Sequence, residues 1–535
     1  MRRRQVRWSR CVRTTPALLC LVLTSSCTDD PLADGADGGA AAERPRLQAA
    51  FDEACVSPGA YPEPGAFPPL SGPGGPQREF ASSALYKNCA FIDGGSRDVL
   101  DHHNAVYMFD GYLLMPWSPE SGAGGITLFD ISNPCQPRTV GSGHSPDMRE
   151  SHTIGFSNLG GTWAVTASLR SGGSAGGVLF WDLSNTTAPA PVKRLELDGH
   201  RYPDAYKRVV LSTFWQPPYV YAGFGDNGVA IIDARNPRDP SVVKIYRPQP
   251  TMRVGQVQAI GNLLIVTAAE GPRTLLLDIS DPVTPQPIPG GAFRAVDRGG
   301  SERDAYFTNA FGGYIWYARK ESGGGFIAMD IHDPEQPRFA GDFRSEGEGG
   351  YVSAQEPYVF VGNSKTAEIY DVSDVDHATK LATLDLTGDL DTITAIGNIA
   401  VLSVDDGADS NKASALAPWR PHPDAVAPRV TWGWPADGAT GIARGSRFGV
   451  TTSEMIEPRT AWEGSVRLYR TGVEPEVGRV PATIAVQDFI VQLVPLCKLA
   501  PNTEYRLEIP AGGLRDATGN PIEQTWTATF RTGAS

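Results

Sequence analysis

The stretch GFIAMDIHDPEQP (residues 325–337) decides the fold. An apolar run ends in Asp330, a turn rich in Asp and Pro follows, and Pro337 closes the unit. Proline cannot donate to a β-ladder and Asp side chains bond nearby backbone, so the stretch reads as strand, enforced turn, next strand. Five counterparts lie in the same chain: GITLFDISNPCQP (125–137), GVLFWDLSNTTAP (177–189), GVAIIDARNPRDP (228–240), RTLLLDISDPVTP (273–285) and TAEIYDVSDVDHA (366–378). Their aspartates, Asp130, Asp182, Asp233, Asp278, Asp330 and Asp371, stand 52, 51, 45, 52 and 41 residues apart. That is the period of propeller blades, ~40 to 50 residues. A proline follows seven positions after the Asp in five copies, and a glycine precedes it by five in four. Six equivalent aspartates in six turns have a structural task, so none is expected to be catalytic.

Upstream of each Asp unit lies a second signature, two β-rich runs around a short turn: VYMF-DG-YLLM, IGFSNL-GG-TWAV, LSTFWQ-PP-YVYA, VQAI-GN-LLIV, YFTNAF-GG-YIWY and VSAQ-EP-YVFV. A seventh, TAI-GN-IAVL (394–402), has no Asp unit after it. Asp-Gly, Gly-Gly and Gly-Asn between apolar runs are strong hairpin signals. The strand-like residues 87–92 have no hairpin before them. Both leftovers are explained if the N-terminal strand completes the last blade and closes the ring, which removes an open edge. The expectation is an all-β chain with a seven-bladed β-propeller over residues 80–406; the alternative is six blades with the seventh hairpin outside.

The repeated unit resembles the LVIVD repeat of bacterial and archaeal surface proteins. The resemblance covers some 300 residues. It implies a propeller at the cell surface and assigns no catalytic residues.

Residues 407–428 are Ala/Pro-rich without a period and read as a linker. Beyond them, RFGVTT, SVRLYR, FIVQLVPL, TEYRLEIP and WTATFRT alternate at the spacing of an all-β sandwich over residues 429–535. This unit, with the turn from Asp516 through Asn520 to Pro521, resembles a bacterial Ig-like domain. The resemblance implies a structural spacer.

At the other end, six arginines precede the apolar residues 17–23 and then Thr24-Ser25-Ser26-Cys27. A basic region, a short apolar region and small residues make an export signal over residues 1–27, too short to span a bilayer. Its ending resembles a lipobox, with Thr24 in the usual aliphatic position. Cys27 is therefore the expected lipidation site, with plain cleavage and secretion as the alternative. Residues 28–79 read as a flexible tether and leader. Of the remaining cysteines, Cys55, Cys89 and Cys135 are disulfide candidates in an oxidising compartment, their pairing open, and Cys497 is expected to stay free.

Gly (59) and Pro (44) make up about a fifth of the 535 residues, which disfavours an all-helical chain. The net charge of -13 argues against a nucleic-acid partner. No G-x-S-x-G elbow, phosphate loop or zinc-finger spacing occurs. Five of the eight histidines (His102, His103, His144, His152, His200) fall at the first blades. His103 and His152, at equivalent places before two inner strands, are the metal-ligand candidates, with Glu150, Asp204 and Asp304 nearby. The run from Asp405 to Asn411 is rich in oxygen donors but lacks EF-hand spacing, and reads as a solvated turn. The cofactor stays undetermined, with a divalent metal or Ca²⁺ as candidates. The functional expectation is an exported outer-membrane or cell-surface lipoprotein. Its partners are the membrane, through the anchor, and a surface protein or polysaccharide bound or scaffolded by a non-catalytic propeller. The alternative is a metal-dependent periplasmic or surface enzyme with channel histidines.

Overall fold

The computed structural model describes residues 54–204, 207–320 and 323–534. The export signal, Cys27 and residues 28–53 lie outside them. Among the described residues, no helix is long and apolar enough to cross a membrane.

Among the described residues, nine four-stranded sheets account for nearly all the regular structure. Six are consecutive meanders whose first strands are Tyr107–Phe109, Gly155–Ser157, Ser212–Gln216, Val254–Ile260, Ala305–Phe311 and Val352–Gln355. In each, the second strand returns through a tight turn; in the first, Asp110 and Gly111 both have positive φ, as such a hairpin requires. The third strand ends in the recurring aspartate. In all six copies one carboxylate oxygen accepts the N–H two residues on, at 2.7–3.0 Å. The six aspartates are thus Asx turns that direct the chain into the outer strand.

The seventh sheet takes Thr392–Ile396, Ile399–Ser403 and Ser414–Pro418 from one region and Ala90–Ile92 from the N-terminal side. Ala90, Phe91 and Ile92 pair with Leu416, Ala415 and Ser414. Ile92 packs with Val106, Met108, Ile399 and Val401, joining the last sheet to the first. Cys89 is disulfide-bonded to Cys135 in the turn after the first sheet's third strand, so the closing strand is also held covalently.

Two expectations are corrected here. The linker at residues 407–428 contains the buried strand Ser414–Pro418, and Trp419 Nε1 donates to Gly397 O at 2.9 Å. The Asp unit marks a turn from third to outer strand. The last sheet receives its outer strand from elsewhere, so its third strand carries no such mark. Cys497 is not free: it bonds Cys55, with Cα atoms 5.0 Å apart.

Residues 430–532 form the other two sheets, which face each other over Phe448, Leu468, Ile484, Leu493, Leu507 and Phe530. The leader is not wholly a tether, because residues 54–79 lie against this sandwich. Tyr61 Oη accepts the Leu468 N–H at 2.9 Å beneath the Arg479 guanidinium. Gly75 N donates to Ala517 O at 3.1 Å and Gly72 N to Asp110 O at 2.9 Å. At Gly72 a Cβ would stand 2.4 Å from Gly111 O, so only glycine lets the strap meet the first hairpin turn.

The sandwich caps the propeller face made by the hairpin turns. Glu457 accepts the Asp110 and Gly111 N–H groups at 2.8 and 3.1 Å. Gln216 Nε2 donates to Gln492 Oε1 at 2.8 Å, and Asn262 Nδ2 to Ser446 Oγ at 2.8 Å. Gly261 and Gly449 meet backbone to backbone, where a Cβ on Gly449 would lie 2.3 Å from Gly261 N. From this cap the turn between Ala482–Gln487 and Ile490–Pro495 carries Asp488 and Phe489 into the channel. Phe489 packs on Phe311 with ring centroids 5.2 Å apart.

Candidate functional site at the channel mouth

The inner strands run from the far mouth toward the cap. The residues just before them, and those just after the second strands, therefore converge at that mouth. His102, Asn104, Glu150, His152, Asp389, Asp391 and Asp405 all hold such positions.

His102 is the hub. Its Nδ1 lies 2.9 Å from Asp405 Oδ1 and 3.1 Å from Glu150 Oε1. Burial works against its charge, but Asp405 and Glu150 outweigh burial and push it up to about 11. Glu150 is 1% exposed. Burial alone would raise its pKa; His152, His102 and Arg149 hold it well below the usual carboxylate range. Asn104 Nδ2 donates to Glu150 Oε1 at 2.8 Å. His152 Nε2 stands 3.4 Å from the same oxygen, and its Nδ1 is hydrogen-bonded to the Tyr351 hydroxyl. The His152 ring stacks on Phe307 at 4.3 Å, and Phe307 on Tyr351 at 4.9 Å. Burial lowers the His152 pKa.

A second group shares Asp405. Asp389, Asp391 and Asp405 bring carboxylate oxygens within 4.8 Å of one another. Burial, with Asp405 and Asp389 alongside, pushes Asp391 well above the usual range. Lys320 at the rim lies 3.1 Å from Glu348 and 4.7 Å from the Tyr306 ring centre.

The two histidine candidates part ways. His152 joins the cluster; His103 does not, and its place is taken by His102. Neighbours in extended chain point to opposite sides, so when His102 faces the mouth His103 is driven between blades. It is fully buried against Gly94, and burial lowers its pKa to about 4. Glu150 joins as expected. Asp204 pairs with Arg208 at 3.5 Å on its own loop, and neither it nor Asp304 belongs to a metal-competent group among the described residues. In the acidic run, Asp405 is 8% exposed and joins the cluster, while Asp409 pairs with Lys412 at the surface. Asp389, Asp391 and Asp405 were reachable from the repeat: they flank the seventh inner strand as Glu150 flanks the second.

Below the mouth the channel holds a cavity of about 50 Å³, lined by Asn104, His152, Gln256, Gln258, Asn309 and Asp488 among others. Burial pushes the Asp488 carboxyl up to about 7. A third carboxylate group, Asp424, Glu454 and Asp516, is buried where the propeller meets the sandwich. There burial, with Asp516 and Asp424, pushes Glu454 up to about 10.

Comparison with known families identifies residues 218–247 as an LVIVD repeat and residues 424–532 as a bacterial Ig-like domain. No curated protein matches the sequence. Among solved structures, the chain is similar to the periplasmic gluconolactonase PpgL of Pseudomonas aeruginosa (12% identity, TM-score 0.43, 59% of this chain and 87% of that one). It is also similar to BamB from Moraxella catarrhalis (12%, 0.38, 60% and 97%) and to the WD40 β-propeller domain of Doa1 (11%, 0.43, 61% and 96%).

Proposed function

We propose that this protein is exported, held at the cell surface through lipidated Cys27, and binds a surface protein or glycan at the mouth opposite its Ig-like cap. One observation carries the reading: the sandwich and its Phe489 tip occupy one face of the propeller, so ligand access is confined to the other. There the half-buried ring of Tyr351, backed by the buried Phe307 ring, and the charge of Lys320 offer stacking and ionic contacts, the usual means of holding a sugar or a peptide. The alternative of a metal-dependent surface enzyme draws on the same mouth, because His102, Glu150 and Asp405 converge in it.

Binding of the purified protein to arrayed surface polysaccharides and to envelope proteins tests the reading. Lys320→Glu at the mouth is expected to weaken capture at least tenfold, and Val477→Glu on the exposed flank of the sandwich to leave it unchanged. Equal loss in both, or in neither, overturns the assignment of the mouth. Anchoring is read separately, from the mass of the N-terminal peptide and the detergent partitioning of Cys27→Ala. A wild-type protein that partitions to water like the variant has no anchor.

A further inference from the structure

We infer that the open mouth holds one divalent transition-metal ion on His102 Nδ1, Glu150 Oε1 and Asp405 Oδ1, with His152 beside Glu150 in the surrounding shell. The inference deepens, and rests on, the reading of the mouth as the functional face.

The first support is the arrangement around His102. One ring nitrogen carries at most one hydrogen, yet two carboxylate oxygens approach Nδ1, at 2.9 and 3.1 Å. Ligands about 2.1 Å from a metal and at right angles to each other stand about 3.0 Å apart, so these separations are those of neighbouring corners of one coordination shell. The second support is bonding capacity left unused in a dry place. Among the described residues, His152 Nε2 and Asn104 Oδ1 have no hydrogen-bond partner, although their residues are 1% and 2% exposed, and Glu150 Oε2 is met by the Arg149 guanidinium at 3.5 Å. Buried polar groups are normally satisfied, and two exceptions beside one carboxylate point to a missing partner. His152 Nε2 is directed at that carboxylate, 3.4 Å from Oε1.

The surroundings match what a metal ligand needs. Metal-bound imidazoles and carboxylates are generally held by an outer partner. The Asn104 amide serves Glu150 Oε1 in this way. A dication also offsets the accumulation of charge where Asp389 and Asp391 adjoin Asp405. An imidazole nitrogen beside two carboxylate oxygens favours zinc, manganese or ferrous iron over the all-oxygen shells of calcium and magnesium. His102 and Asp405 side chains are 15% and 10% exposed, so the ion is reachable from solvent.

The test uses the purified full-length protein, stripped with chelator, reloaded with Zn²⁺ or Mn²⁺ and desalted. Metal content is measured by mass spectrometry and affinity by calorimetry. One ion per chain is expected, with affinity about 100-fold lower or worse in Glu150→Gln and Asp405→Asn and unchanged in His103→Ala. Circular dichroism confirms that each variant is folded. Visible absorption of the Co²⁺-loaded protein gives a second readout, whose bands should vanish in His102→Ala. A folded wild type that retains no ion, or unchanged affinity in folded Glu150→Gln, overturns the inference. Capture by Lys320→Glu is read without added metal, so the binding reading and the metal site fail independently.

Discussion

The two ends of the channel are built on opposite terms. At the capped end Phe489 fills the bore against Phe311, and directional bonds from Glu457, Gln492 and Ser446 tie the sandwich to the hairpin turns. At the mouth, carboxylates crowd together until Asp391 is pushed well above its usual pKa. Apolar packing and satisfied bonds hold a fold together; crowded, unsatisfied charge weakens it and is kept where it does something. Directional bonds and apolar packing dominate at the cap, around one sealed carboxylate group of Asp424, Glu454 and Asp516, whereas at the mouth the crowded charges reach solvent through His102 and Asp405.

The largest effect comes from breaking both ends at once. Deleting residues 80–95 removes the closing strand Ala90–Ile92 and the Cys89 bridge, exposes an unpaired edge and loses the apolar contact of Ile92. A loss of several kcal/mol, a large part of the ~5 to 15 kcal/mol of a typical domain, is expected in thermal melts. Deleting residues 28–50 should leave the melting temperature unchanged. Next, Phe489→Ala strikes the cap alone. It is 1% exposed, and its truncation should cost about 3 to 5 kcal/mol, read as a separate early unfolding step of the sandwich by calorimetry.

A smaller effect is pH-dependent. Burial pushes Asp488 up to about 7, against roughly 4 in the unfolded chain. Between those values the folded protein binds the extra proton, so stability falls as pH rises from about 4 to about 7 and levels off above. The fall should be a few kcal/mol at most. Asp488→Asn should make the fall shallower and be the more stable form at pH 8, with Glu454 leaving a residual slope; a denaturant midpoint that drops as steeply in the variant as in the wild type would assign the effect to another group. The smallest change sharpens the contrast by its sign. Asp391→Asn at the mouth removes a crowded buried charge and should stabilise the metal-free protein by about 1 kcal/mol at pH 8. Destabilisation there would mean that the mouth, too, is built for cohesion.

What the sequence reveals of this molecule follows from what repeats. The Asx turns recur because six chain segments solve one local problem, and local hydrogen bonding leaves its mark in residue type. Ring closure was legible from the two unmatched strands. Ser414–Pro418 was hidden because the one blade that borrows its outer strand needs no turn signal. The Cys55–Cys497 bond and the cap were hidden for a different reason. Docking of a sandwich on a propeller is decided by single contacts such as Gly261 against Gly449, which have no period. At the mouth, the His102-His103 pair defines a place but not a side. Only the third dimension shows which imidazole meets Glu150 and which is sealed beside Gly94.

The bond between Cys55 and Cys497 has a mechanical consequence. It spans 442 residues, and the whole propeller lies inside that span. Tension applied at residue 54 therefore passes straight through the sulfurs to the end of the sandwich, and none of it is transmitted along the enclosed backbone. The three-residue closing strand is thereby taken out of the load path. In a single-molecule pull between the two ends, the oxidised chain should lengthen only by the residues outside the bridge, while the reduced chain should pay out the seven blades.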